Sequence, residues 1–315
     1  MPPTVHDCDC GFTDSTDPTK SIFTSFIAVN FSSTASSELS NLFIPATYEV
    51  TSSDAPYSRN FSADLVQLSD EGLHLSVLPP VLGQVPSAQI FSWVSTFAFG
   101  SYHAWFRTSG IPGTVTAFYI YRNDSSEVDV EHINGWEQPT LLYTVKPQIY
   151  LDNGNPDNST YQREAWNDTT AAFHQEYHDW SFVWLPNIVH FGLDASYLRS
   201  ITTNVPQAPG RLALNHWSDG NPKYSLGPPT QNSTATVALL WATYNDTNAD
   251  ALACKKTSVA CTITDGVLQS STISAGVTGK TIPSTTVVNF ALANTAPGWL
   301  YVLSSLFLSY YTLFA

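Results

Sequence analysis

The run Glu127-Val128-Asp129-Val130-Glu131 alternates three carboxylates with two β-branched apolar residues. Successive side chains of a strand point to opposite faces, so this pattern fits a half-buried strand. Val128 and Val130 then face a core, and Glu127, Asp129 and Glu131 form a row on one exposed face. Three acids on one face repel each other, so such a row calls for a reason beyond solvation of an edge strand. Similar short runs recur along the chain: Ile90–Phe99, Tyr102–Thr108, Val115–Tyr121, Glu127–Ile133, Leu141–Val145, Phe173–Trp180, Ile188–Asp194, Arg211–Trp217 and Val237–Tyr244. Turn residues separate them, notably Gly110 to Gly113 and Pro186-Asn187. No segment has convincing helical periodicity, and no internal repeat is visible. The rhythm predicts an all-β fold, a sandwich or jelly roll of two antiparallel sheets.

The acid row suggests chemistry. At about 3.3 Å per residue, the Cα atoms of Glu127 and Glu131 stand roughly 13 Å apart. Two glutamates leaning inward bring their carboxyls to about 5–6 Å, near the ~5–5.5 Å of a pair that cleaves a glycosidic bond with retention. Asp129 is shorter and sits between them, placed to hydrogen-bond one glutamate. Close carboxyls do not all ionise together without cost, so one should hold its proton at neutral pH.

A chain of this length can bury one large core as a single all-β domain. Charged residues make up only 12% of it, with 12 Lys and Arg against 26 Asp and Glu and a net charge of −14. No cationic cluster stands out, which argues against nucleic acid and anionic membrane surfaces as partners. A neutral polysaccharide makes no demand on the sign of charge. Seven Asn-x-Ser/Thr sites, at Asn30, Asn60, Asn123, Asn158, Asn167, Asn232 and Asn245, fit a glycosylated secreted protein. A glycan on Asn123 would stand near the mouth of a cleft above the acids.

The four cysteines are Cys8, Cys10, Cys254 and Cys261. A Cys8–Cys10 ring is tight for disulfide geometry. With that pair set aside, Cys8 and Cys10 each bond one of Cys254 and Cys261, in either order. Such a staple from the N-terminus to the end of the fold is worth about 4–5 kcal/mol in the chain-entropy model. A Cys-x-Cys metal site lacks nearby histidines or a second pair at zinc spacing, so no metal is expected.

After about Asp265 the character changes. Residues 266–298 are rich in Ser, Thr, Gly and Ala and read as a stalk. Residues 299–315 are an apolar tail with no Lys or Arg behind it, which fits a signal for a glycosylphosphatidylinositol anchor, the sole expected tie to a membrane. The opening Met1-Pro-Pro-Thr-Val lacks the cationic start and apolar stretch of a secretory leader, so either a leader is removed or the start lies elsewhere. The expected organisation is a catalytic domain over 1–265, the stalk, and the tail of a secreted, surface- or wall-anchored monomer.

The acid run resembles the active-site strand of the family-16 glycoside hydrolases, β-jelly-roll enzymes of the concanavalin A-like type. Tyr102-His-Ala-Trp-Phe-Arg107, Ile111-Pro-Gly113 and Ala117-Phe118 resemble the strands before it. Phe173-His174 through Asp179-Trp180, and Leu214-Asn215-His216-Trp217-Ser218-Asp219-Gly220, resemble strands after it. Cys8-Asp9-Cys10-Gly11-Phe12 with the late cysteines looks like the fungal branch, so the resemblance covers roughly residues 8 to 265. One departure is His132, on the Val face of the acid strand, which reads as a core or rim histidine. The resemblance implies a β-glucan substrate, Glu127 as nucleophile, Glu131 as acid and base, and Asp129 assisting, with no cofactor. Sugar rings stack on aromatic platforms. Trp217 is expected to wall the cleft; Trp105 and Trp180 are candidates for cleft or core, and His174 for a hydrogen bond within the cleft. A cell-wall transglycosylase and a non-catalytic carbohydrate-binding protein are the alternative functions.

Overall fold

A computed structural model describes residues 8, 10–136, 138–166, 172–249 and 260–269. Among these, two large sheets pack face to face, one nine-stranded and one eight-stranded, with a three-stranded sheet beside them. The nine-stranded sheet runs in the order Tyr161–Ala165, Thr140–Lys146, Ser126–Ile133, Val115–Asn123, Arg211–Trp217, Gln84–Ser92, Ser58–Phe61, Glu49–Val50, with Phe43–Pro45 also on Gln84–Ser92. The eight-stranded sheet is centred on Phe97–Arg107, flanked by His178–Leu185 and Ser233–Asp246. This is the jelly-roll sandwich expected from the strand rhythm. Pairing in the large sheets is antiparallel except where Ser58–Phe61 runs parallel to Gln84–Ser92.

Period-two alternation builds the core. On Val115–Asn123, Phe118 and Ile120 point inward, and on the acid strand Val128 and Val130 do the same. They meet aromatic side chains of the opposite sheet: Phe118 lies 5.1 Å from Phe182 between ring centroids, and Tyr143 lies 4.7 Å from Phe191. Burying side chains of this size contributes about 1.5–3 kcal/mol each and fixes the register, because a one-residue slip would turn the acids into the core.

The small sheet clasps the two ends of the fold. Phe12–Asp14 pairs in parallel with Cys261–Thr264, which turns through Asp265-Gly266 into Val267–Gln269. Both turn residues have positive φ, 48° and 70°, as a two-residue hairpin of the I′ type requires. The folded part thus runs past residue 265, the expected boundary. Cys8 bonds Cys261, with Cα atoms 5.3 Å apart, and Cys10 is also disulfide-bonded. Cys254, the stalk beyond residue 269 and the apolar tail lie outside the described residues.

Beneath the clasp, His103 is fully buried between two carboxylates: its Nε2 lies 2.9 Å from Asp14 and its Nδ1 2.8 Å from Asp179. Trp241 stacks on its ring at 3.8 Å. Burial pushes the imidazole down, but the Asp179 and Asp14 charges prevail and hold it well above the ordinary histidine range. Asp14 is held at about 2: burial raises it, and the bond and charge of His103 outweigh that. The ion pair ties the N-terminal strand to the sheet.

Three expectations need correction. The strand expected over Phe173–Trp180 begins only at His178, because residues before it form a turn. The run Ile90–Phe99 is split by a break at Trp93–Thr96. A helix, Ser36–Leu42, exists where none was expected. It is capped by the Glu38 carboxylate, which accepts from the Ala35 N–H at 3.1 Å, and Leu39 and Leu42 pack on the core. Seven residues are too few to show a helical period.

Candidate active site

The cleft lies on the face of the nine-stranded sheet that points away from the core, with a volume of about 890 Å3. Its floor follows from parity. On the acid strand, 127, 129 and 131 face the cleft because 128 and 130 face the core. On Val115–Asn123 the cleft side belongs to Ala117, Tyr119 and Tyr121, directly opposite Glu131, Asp129 and Glu127. Ala213 follows Tyr119 on the next strand, and Asn215 follows Ala117. The small side chains of Ala117 and Ala213 leave room beside the acids. On the other flank, Glu127 stands opposite Lys146, and Asp129 opposite Thr144.

The acids are not on a solvated face. Glu127 and Asp129 are 4% and 7% exposed. Lys146 Nζ lies 2.7 Å from Glu127 Oε2, and both side chains are nearly buried. Asp129 contacts Glu127 through a hydrogen bond; burial first, then the Glu131 and Glu127 charges, push its carboxyl well above the carboxylate range. Glu131 accepts a hydrogen bond from the Tyr224 hydroxyl. Burial pushes Glu131 up to about 7, against the Tyr224 bond, with the Glu127 charge adding to the rise and Lys146 and Arg59 opposing it. Tyr224 in turn is held well above the ordinary phenol by burial and by the Glu131 charge. A carboxyl poised near neutrality can both give and take a proton at physiological pH.

A polar chain crosses the floor. Asn215 Nδ2 donates to the Tyr119 hydroxyl at 3.2 Å, Tyr119 donates to Gln89 Oε1 at 3.1 Å, and Gln89 Nε2 donates to the Tyr48 hydroxyl at 2.8 Å. Trp217 walls the cleft, with the Arg59 guanidinium 4.4 Å from its ring centroid and Tyr224 stacked 6.0 Å away.

The structure brings Glu127, Asp129, Glu131 and Trp217 together. It does not bring in the other expected residues. Trp180 is a core residue of the opposite sheet, fully buried against Phe106 and Phe173. Trp105 lies on the same far sheet, opposite Asp179, and does not line the cleft. Both sit there because their strands pack behind the acid sheet. His174 is exposed in the turn near Gly110, also off the cleft. His132 is a core histidine, its Nδ1 2.9 Å from the Thr140 carbonyl, and burial pushes it down to about 4. Sequence reasoning missed Lys146, Tyr224, Arg59 and Tyr119. Lys146 and Tyr119 could have been found by asking which residues face 127 and 129 in neighbouring strands; Tyr224 and Arg59 come from loop and edge segments with no periodic signal. Of the glycosylation sites, Asn123 lines the cleft, while the Asn60 amide donates to Gln84 Oε1 at 3.0 Å. Asn167 lies outside the described residues. Among the described residues, no cluster of His, Cys, Asp or Glu could hold a metal ion.

Known proteins share this arrangement of sheets. The chain superimposes on a β-glucanase structure from Bacillus licheniformis with a TM-score of 0.57 at 18% identity, covering 70% of this chain and 98% of that one. A Crh5 transglycosylase structure gives a TM-score of 0.51 at 16% identity, over 70% of this chain and 85% of that one. In sequence, the chain is 24% identical over 157 residues to a β-glucanase of Bacillus licheniformis, matching 48% of this chain and 60% of that protein. It is 25% identical over 180 residues to Crh-like protein 2 of Botryotinia fuckeliana, 55% of this chain and 37% of that protein. The chain therefore spans less than two thirds of the length of these sequence relatives. Residues 54–242, well over half the chain and including the cleft strands between Gln84 and Trp217, match the glycosyl hydrolases family 16. The chain belongs to that family of glycoside hydrolases and transglycosylases.

Proposed function

We propose that this chain cleaves internal linkages of a β-glucan, of β-1,3 or mixed β-1,3/1,4 type, with retention of anomeric configuration. The observation that carries this reading is the pairing of unlike carboxyls in one cleft: Glu127 in an ion pair with Lys146, and Glu131 pushed up to about 7 by burial. Glu127 attacks the anomeric carbon as Glu131 gives its proton to the departing glycosidic oxygen. Glu131, now a carboxylate, then takes a proton from the incoming water as the glycosyl ester breaks. Asp129, whose carboxyl is pushed up by burial and by the Glu131 and Glu127 charges, assists through its hydrogen bond to Glu127. Trp217 and the Asn215–Tyr119–Gln89–Tyr48 chain offer a stacking face and fixed polar groups for sugar hydroxyls. Two carboxyls supply both nucleophile and proton, so the scheme calls for no cofactor.

Transfer to a sugar hydroxyl in place of water is the second reading, supported by the likeness to Crh-like protein 2 and to the Crh5 transglycosylase. Both share the first step. Incubation with lichenan, laminarin and chitin oligomers, with and without added acceptor, separates them: hydrolysis gives reducing ends in step with bond cleavage, and transfer gives longer products. NMR of the first-formed anomer tests retention. Inversion, or full activity in a folded Glu127→Ala protein, would overturn the mechanism. The disulfide clasp and the sequons further support a secreted glycoprotein, and the apolar composition of residues 299–315 supports attachment to the surface through a lipid anchor.

A further inference from the structure

We infer that Lys146 is a positioning residue that holds Glu127 as an aligned anion and shortens the life of the glycosyl-enzyme. The inference rests on Glu127 acting as the nucleophile. Lys146 and Glu127 are direct cross-strand neighbours, their charged atoms lie 2.7 Å apart, and their side chains are 11% and 5% exposed. An ammonium this deep does not act as a solvated surface charge. Its charge also reaches Asp129, Glu131, Tyr121 and Tyr150, and it favours the ionised form of each. Lys146 is thus a counter-ion shared by an otherwise self-repelling row.

The consequence for the reaction follows from charge balance. When a Glu127 oxygen bonds the anomeric carbon, the bond to the leaving oxygen breaks and that oxygen takes the proton of Glu131. Glu127 becomes a neutral ester, and its anion is gone while the ammonium remains. Lys146 therefore stabilises the free enzyme more than the covalent intermediate, and it favours departure of Glu127 as a carboxylate in the second step.

The test is a carboxyl-carbon NMR titration of the whole chain labelled at Glu and Asp side-chain carbonyls, with Glu127→Gln and Glu131→Gln spectra assigning the signals. The three carboxyls titrate as a coupled set, so the readout is the first macroscopic ionisation of that set. Removal of an opposite charge at this distance in Lys146→Met moves it up by about 1–3 pH units, and Lys146→Arg brings it back. Lys146→Gln carries the same expectation should the Met variant not fold. A folded neutral variant whose first ionisation stays within about 0.3 unit of the parent overturns the inference. That result is independent of Glu127→Ala kinetics, which test the nucleophile itself.

Discussion

Replacing Glu131 by Gln should abolish turnover and yet stabilise the protein, but only at neutral and alkaline pH. Burial raises Glu131 from the ordinary glutamate value of 4.5 to about 7, so the folded state binds a proton there that the unfolded chain has released. Below about pH 4.5 the group is protonated in both states, and its favourable contribution is fully present. As pH rises from there through about 7, that contribution is lost, because folding must then bury an anion. A shift of this size corresponds to roughly 3 kcal/mol, and partial access of Glu131 to solvent reduces it to about 1–2 kcal/mol. Gln is neutral at every pH, nearly isosteric, and still accepts the Tyr224 hydroxyl. The variant should therefore match the parent at pH 4 and exceed it by about 1–2 kcal/mol at pH 8, a rise of a few degrees in Tm. Thermal unfolding followed by circular dichroism at the two pH values measures this. A Gln variant less stable than the parent at pH 8, or equally stabilised at both pH values, would refute the burial argument.

The acid row was legible because its alternation is set by local pattern alone. Val128 and Val130 need a core, so 127, 129 and 131 must share the other face, and no knowledge of the rest of the fold is required. The jelly roll followed from the same rule applied strand after strand. What the sequence hid is set by pairing. Lys146 reads as the polar end of an apolar run, and only the register Glu127↔Lys146 makes it a counter-ion. The tryptophans show the same limit from the other side. Trp180 belongs to a strand resembling the family's, as Trp217 does, but its strand packs behind the acid sheet and buries it completely. Likeness of a strand does not say which sheet carries it. The Asp265-Gly266 hairpin, in contrast, carried a readable turn signal, and the stalk boundary was drawn across it. The depth of the acids is equally invisible to local pattern: alternation puts them on an outward face, and only the rims from residues 48–61 and 217–224 shelter that face.

Other perturbations probe the rest of the structure. Tyr224→Phe removes a hydrogen bond that favours the Glu131 carboxylate, so the alkaline limb of the pH–rate profile should move up by about one unit; a downward move would contradict the assigned direction. Peptide mapping without reduction should link Cys8 to Cys261, and recovery of either as a free thiol would refute the clasp. His103→Leu leaves Asp14 and Asp179 buried without their cation and should cost about 3–5 kcal/mol in chemical denaturation at pH 6. The cation's stabilising contribution is fully present below the unfolded histidine value and is lost as pH rises through the higher folded one, so the gap between parent and variant should narrow at alkaline pH. The two tryptophans should separate cleanly. Trp180→Ala empties a fully buried site between Phe106 and Phe173 and should cost about 3–5 kcal/mol of stability. Trp217 borders the cleft with one side against Arg59, so Trp217→Phe, which keeps an aromatic face, should retain most of the stability but weaken binding of glucan oligosaccharides severalfold. Calorimetric binding measured on Glu127→Gln backgrounds removes turnover from the comparison. Unchanged oligosaccharide affinity in a folded Trp217→Phe protein would show that sugars do not stack on this wall, and would move the platform to the tyrosines of the floor.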